Sequence, residues 1–69
     1  MRFQVKWFDV ITHKLTQAEN YGNTRYIEAI VAAKTKYPEC FAILYDSKLG
    51  VYRAINGQDG MAVHLERRS

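Results

Sequence analysis

The chain has 69 residues, 48% of them hydrophobic and 13% aromatic, and a formal net charge of +3. That suffices for one domain, 1–69, and is too rich in core-forming residues for disorder. Seven acidic residues are too few for the dense negative surface of a DNA mimic. A single cysteine, Cys40, excludes an intramolecular disulfide framework and fits a reducing cytoplasm.

The first segment alternates, with Phe3, Val5 and Trp7 on one face and Arg2, Gln4 and Lys6 on the other. Period two with aromatic and β-branched residues predicts a half-buried strand. The charges Arg2 and Lys6 that interrupt it also make it unlike a signal peptide, and no apolar run approaches the roughly 18 residues of a membrane span. Phe8 and Val10 fall on the wrong parity, which a bulge or strand end near Asp9 would absorb. Ile11-Thr12-His13-Lys14 reads as a turn, and 15–21 (LTQAENY) as a more polar edge strand or extended loop.

Gly22-Asn23-Thr24 precedes a predicted helix over 24–37, with Asn23 or Thr24 as the side-chain cap. Its apolar stripe is Tyr26, Ile27, Ile30, Val31, Ala33 and Tyr37, at helical spacing. Glu28 near its start and Lys34 and Lys36 near its end complement the helix dipole, and Pro38 stops it. The run 40–46 (CFAILYD) is apolar on both faces, as a central strand is. Ser47-Lys48-Leu49-Gly50 is a hairpin loop, 51–55 the next strand, 56–60 a second turn and 61–65 a last strand. In 51–55 either Val51 and Ile55 or Tyr52 and Ala54 face the core. Residues 66–69 form a polar tail expected to fray.

The order β(β)αβββ predicts an α+β fold, one helix packed on one face of a mostly antiparallel sheet of four or five strands. The other sheet face is then left for water, a partner or a second copy of the chain.

Chemistry is sparse. His13, His64 and Cys40 are the only soft metal ligands and show no paired-ligand spacing, so they read as a small buried hydrophobe and two strand or turn histidines. Asp9, Asp46, Asp59, His13 and His64 are the pieces for acid–base work, but one helix on a sheet offers little concavity to desolvate them. The glycines of 57–60 neither end in Gly-Lys-Ser/Thr nor open a helix, so they are no phosphate loop. No catalytic residue, metal or cofactor is assigned. Lys6, Arg53 and His64 are expected to share the outer sheet face near Tyr45 or Tyr52, an arrangement that can stack bases and neutralise phosphates. Five tyrosines in the chain point instead to a protein partner, because tyrosine and arginine combine apolar area with a polar handle at interfaces. Tyr26 and Tyr37 read as caps on the core. Lys6, Tyr21, Tyr45, Tyr52, Arg53, His64 and Arg67 are the candidate partner-binding residues.

Tyr21, Ile27-Glu28-Ala29-Ile30, Ala33 and Lys36-Tyr37-Pro38, followed by the 41–55 hairpin, resemble in pattern the small phage-encoded host-takeover and anti-CRISPR-type ββαββ inhibitor proteins. The resemblance covers most of the chain. It implies no catalytic residues and an action by occupying the surface of a host protein or ribonucleoprotein complex in the cytoplasm, with no membrane partner. The expected function is therefore a non-enzymatic inhibitor of a host complex. The alternative is a small nucleic-acid-binding regulator that uses the basic and aromatic sheet face.

Overall fold

The computed structural model describes residues 1–56. They form strand β1 (Phe3–Phe8), strand β2 (Leu15–Tyr21), helix α1 (Tyr26–Thr35), strand β3 (Phe41–Asp46) and strand β4 (Val51–Asn56). The helix packs on one face of a four-stranded antiparallel sheet ordered β2-β1-β3-β4, an α+β fold. The expected strand over 61–65 and the tail at 66–69 lie outside the described residues.

Chain order and sheet order differ because β1 sits inside the sheet. It pairs antiparallel with both β2 and β3, so β2 and β3 run parallel to each other. Parallel strands need a long crossover rather than a hairpin, and α1 supplies it by passing over β1. The motif is a split β-α-β unit with β4 added as a hairpin.

The register fixes the two faces. Phe3, Val5 and Trp7 stand opposite Asp46, Leu44 and Ala42 and share the helix-facing side. With Tyr21, Ala29 and Ala33 the apolar ones among them form the main core, against which Ile30, Tyr37 and Ile55 also pack. The pairing of β3 with β4 settles the ambiguous parity: Ala54 lies opposite Ile43 and Tyr52 opposite Tyr45, so Val51, Arg53 and Ile55 turn toward the helix side.

Phe8 and Ile43 lie on the other face, yet they are only 3% and 2% exposed and form a second cluster with Phe41 and Ala54. The expectation of an uncovered outer sheet face therefore fails at this end of the sheet. The parity slip at Phe8 has two parts. A register shift does fall between Trp7 and Phe8 against β2, but pairing with β3 continues unbroken to Phe8↔Phe41. Two adjacent large residues thus serve opposite faces.

The helix is shorter than expected and turned about its axis. Arg25 occupies the N-cap position and no side chain caps the first turn, so neither Asn23 nor Thr24 takes the expected role. Arg25 N–H instead closes a turn on the Gly22 carbonyl at 3.0 Å. The buried helix residues are Ala29 and Ala33, while Ile27 is 70% and Val31 52% exposed. Small side chains let the helix axis approach a sheet floor made of Phe3, Trp7 and Leu44. Close packing favours small against large over large against large. Tyr26 and Tyr37 flank that contact, with ring centroids 5.2 Å from Phe3 and 5.0 Å from Trp7.

Candidate binding surface

The β3–β4 hairpin is built around one carboxylate. Asp46 Oδ1 accepts the backbone N–H groups of Lys48 at 3.0 Å and Leu49 at 3.3 Å. Gly50 N–H bonds the Asp46 carbonyl at 2.8 Å. Gly50 has φ +66°, a conformation glycine adopts without Cβ strain. Arg2 grips the same carboxylate with both arms of its guanidinium, Nε to Oδ1 at 3.0 Å and Nη2 to Oδ2 at 2.9 Å. Ser47 Oγ donates to the Arg2 carbonyl at 2.9 Å. The loop is thereby tied to the start of β1, and Leu49 is held out at 65% exposure.

Beside this loop lies a cleft of about 380 Å³ between the start of α1 and the hairpin. Phe3 and Leu44 form its apolar floor, with Tyr26, Leu49, Val51 and Arg53 around it. Arg53 Nη1 donates to the Tyr26 hydroxyl at 3.1 Å. Arg2 and Arg25 hold carboxylates, whereas Arg53 has no carboxylate partner among the described residues. Behind the hairpin, on the opposite sheet face, Tyr45 and Tyr52 stack as a directly paired couple with centroids 4.5 Å apart and planes at 28°.

Four titratable groups are committed to structure: Asp46, Asp9, Glu19 and Tyr21. The Arg2 guanidinium, helped by the Lys48 and Leu49 N–H groups, holds the Asp46 carboxyl below its usual range. The N–H groups of Thr12 and Ile11 do the same for Asp9 in the β1–β2 turn, and Lys36 followed by the Tyr21 hydroxyl for Glu19. Burial and the bond to Glu19 push the Tyr21 phenol up to about 12. A carboxylate with a lowered pKa and satisfied oxygens is a poor general base near neutrality. Among the described residues no three His, Cys, Asp or Glu side chains gather as a metal site requires, and no helix is long and apolar enough to cross a membrane.

The sequence-derived site residues scatter. Tyr45 and Tyr52 do come together. Arg53 does not join Lys6: Lys6 is half-buried on the outer face beside Ile43, while Arg53 turns to the helix side. The expected shared basic face is thus divided by the sheet itself. Tyr21 is 7% exposed, donates to Glu19 at 2.7 Å and carries the Arg25 guanidinium over its ring, so it offers little surface. His64 and Arg67 lie outside the described residues. Sequence reasoning missed Arg2, Tyr26, Leu49 and Val51. Leu49 carried a readable signal, an apolar residue in an otherwise polar turn, but Arg2 gained its role only from a partner 44 residues away.

Comparison with known proteins returns no match: no family model, no curated protein and no solved structure is similar to this chain.

Proposed function

We propose that this chain is a non-enzymatic binding protein that occupies a surface on a larger macromolecular complex. Its concrete form is an inhibitor of a host protein or ribonucleoprotein machine, of the phage-encoded or anti-CRISPR type. The observation that carries the reading is the hairpin end, where Leu49 and Val51 are exposed around a cleft with an apolar floor and an arginine with no carboxylate partner among the described residues, while Tyr52 is exposed on the opposite sheet face. Aromatic and arginine side chains beside an apolar pocket make up the anchors of protein interfaces. The Arg2–Asp46 clamp holds that hairpin in place before binding, which lowers the ordering cost of association.

The test compares tagged wild-type chain with Leu49→Asp and Tyr52→Ala in host lysate, with Val31→Ser as an exposed control. The wild type and the control are expected to retain a stoichiometric protein partner. The two hairpin variants are expected to lose at least about tenfold in affinity, or about 1.4 kcal/mol. Equal retention by all four chains would remove the hairpin end from the interface. Recovery of nucleic acid alone, with affinity falling steeply as salt rises, would favour the regulator instead. The division of Lys6 from Arg53 weighs against that second reading.

A further inference from the structure

At the opposite edge of the sheet, β2 is a seven-residue strand, the longest in the described sheet. The direction of its backbone groups follows from its neighbours. Ser47 N–H bonds the Arg2 carbonyl, so Arg2 turns its polar groups toward β3. By alternation Phe3, Val5 and Trp7 turn theirs toward β2. Asp9 N–H bonding the Lys14 carbonyl continues that alternation. The partners Tyr21, Glu19 and Gln17 therefore spend their backbone groups on β1, and Ala18 and Asn20 present theirs to the edge, which no other described strand covers.

Natural edges are usually guarded by lysine, proline, short length or inward charge. This strand carries no lysine, arginine or proline. Its one charge, Glu19, lies on the helix side in an ion pair with Lys36, which weakens its repulsion of an incoming strand without abolishing it. The register shift against Phe8 guards only the Leu15 end. Ala18, exposed and small, stands at the middle.

We infer that this edge pairs with the same edge of a second copy of the chain, antiparallel about a two-fold axis at Ala18, joining two sheets into one of eight described strands. Charge selects that register. Centring the axis on Ala18 sets Glu19 opposite Gln17 of the other copy, so each carboxylate meets a carboxamide donor, twice by symmetry. Centring it on Glu19 sets two carboxylates face to face, which is unfavourable. Ala18 pairs with its own symmetry mate through two N–H···O bonds, without side-chain crowding. The surface lies on the edge strand away from the hairpin cleft, so the inference stands independently of the proposed function.

Sedimentation velocity and amide hydrogen exchange from micromolar to millimolar concentration test it. The wild type is expected to pass from monomer to dimer, with Ala18 and Asn20 amides gaining protection as it does. Gln17→Glu should weaken association and Gln17→Lys strengthen it, each by about three- to tenfold for two symmetric cross-strand pairs. Both changes lie at an exposed site and leave the monomer's circular dichroism unchanged. Ala18→Pro removes the outward N–H, a position where an edge strand tolerates proline, and should give a folded monomer. A wild type that stays monomeric at millimolar concentration overturns the inference, including the case in which the edge captures only an extended peptide of another protein. Dimerisation that Gln17→Glu and Gln17→Lys fail to move in opposite directions overturns it as well.

Discussion

Trp7 shows how one side chain both anchors this small core and strains it. It is fully buried in the middle of β1 and meets the Tyr37 ring at 72°. Its indole N–H finds no hydrogen-bond partner among the described residues. An unsatisfied buried donor costs about 1–3 kcal/mol, so the apolar contacts of the ring outweigh that penalty. Trp7→Ala should lose about 3–5 kcal/mol, a large share of a domain whose stability is about 0.05–0.15 kcal/mol per residue. The chain should then be largely unfolded. Trp7→Phe loses volume but also deletes the orphaned donor, and should lose less than about 2 kcal/mol. Urea denaturation followed by circular dichroism separates the two, and equal losses would mean that the N–H carries no penalty.

At the scale of elements, α1 carries its specificity on alanines. Ala29 and Ala33 have no exposed surface, and leucine there would force the helix off the sheet. Ala33→Leu should cost about 1–3 kcal/mol by overpacking. Val31→Ser on the outer flank should stay within about 0.5 kcal/mol. Denaturation midpoints at unchanged slope read both, and a costly Val31→Ser would place that flank in the core. The same helix shows what sequence periodicity can and cannot resolve. Ala33 and, at the margin of the core, Ile30 and Tyr37 were legible as a core stripe; Ala29 was not, and Tyr26 is 36% exposed. Ile27 and Val31 satisfied the same spacing yet face solvent, because a wheel of apolar residues wider than the contact leaves its rotation undetermined. Bulk on the sheet then decides which part of the stripe goes inward.

For the molecule as a whole, the charged ties join distant segments: Arg2 to Asp46 at the hairpin, Lys36 to Glu19 between helix and edge strand. Asp46, Glu19 and Asp9 all have folded-state pKa values below their ordinary ones. The stability they contribute is complete above the unfolded values, about 3.9 for Asp and 4.3 for Glu. It is lost as pH falls through the depressed folded values. Tyr21 works at the other end: its phenol is raised to about 12, so its contribution is complete below about pH 10 and is lost as pH rises toward 12. Urea midpoints across pH should therefore fall on the acid side below about pH 4. Asp46→Asn should shallow that acid limb while leaving the alkaline one. An acid limb unchanged in Asp46→Asn would show that the Arg2 clamp adds no pH-dependent stability.

Local pattern determined much of this protein. The alternation in β1, the polar edge strand at 15–21, the Pro38 stop, the doubly apolar β3 and the loop at 47–50 were all readable, because each depends on neighbours in the chain. Tertiary structure alone decided the sheet order, the rotation of α1, the face taken by Tyr52 and Arg53, and the union of Arg2 with Asp46. Each of these is a choice between arrangements that are locally equivalent: one strand can show either face, and one helix can roll about its axis. Only burial against residues distant in sequence distinguishes them. That burial divided the expected basic sheet face and assembled the hairpin end in its place.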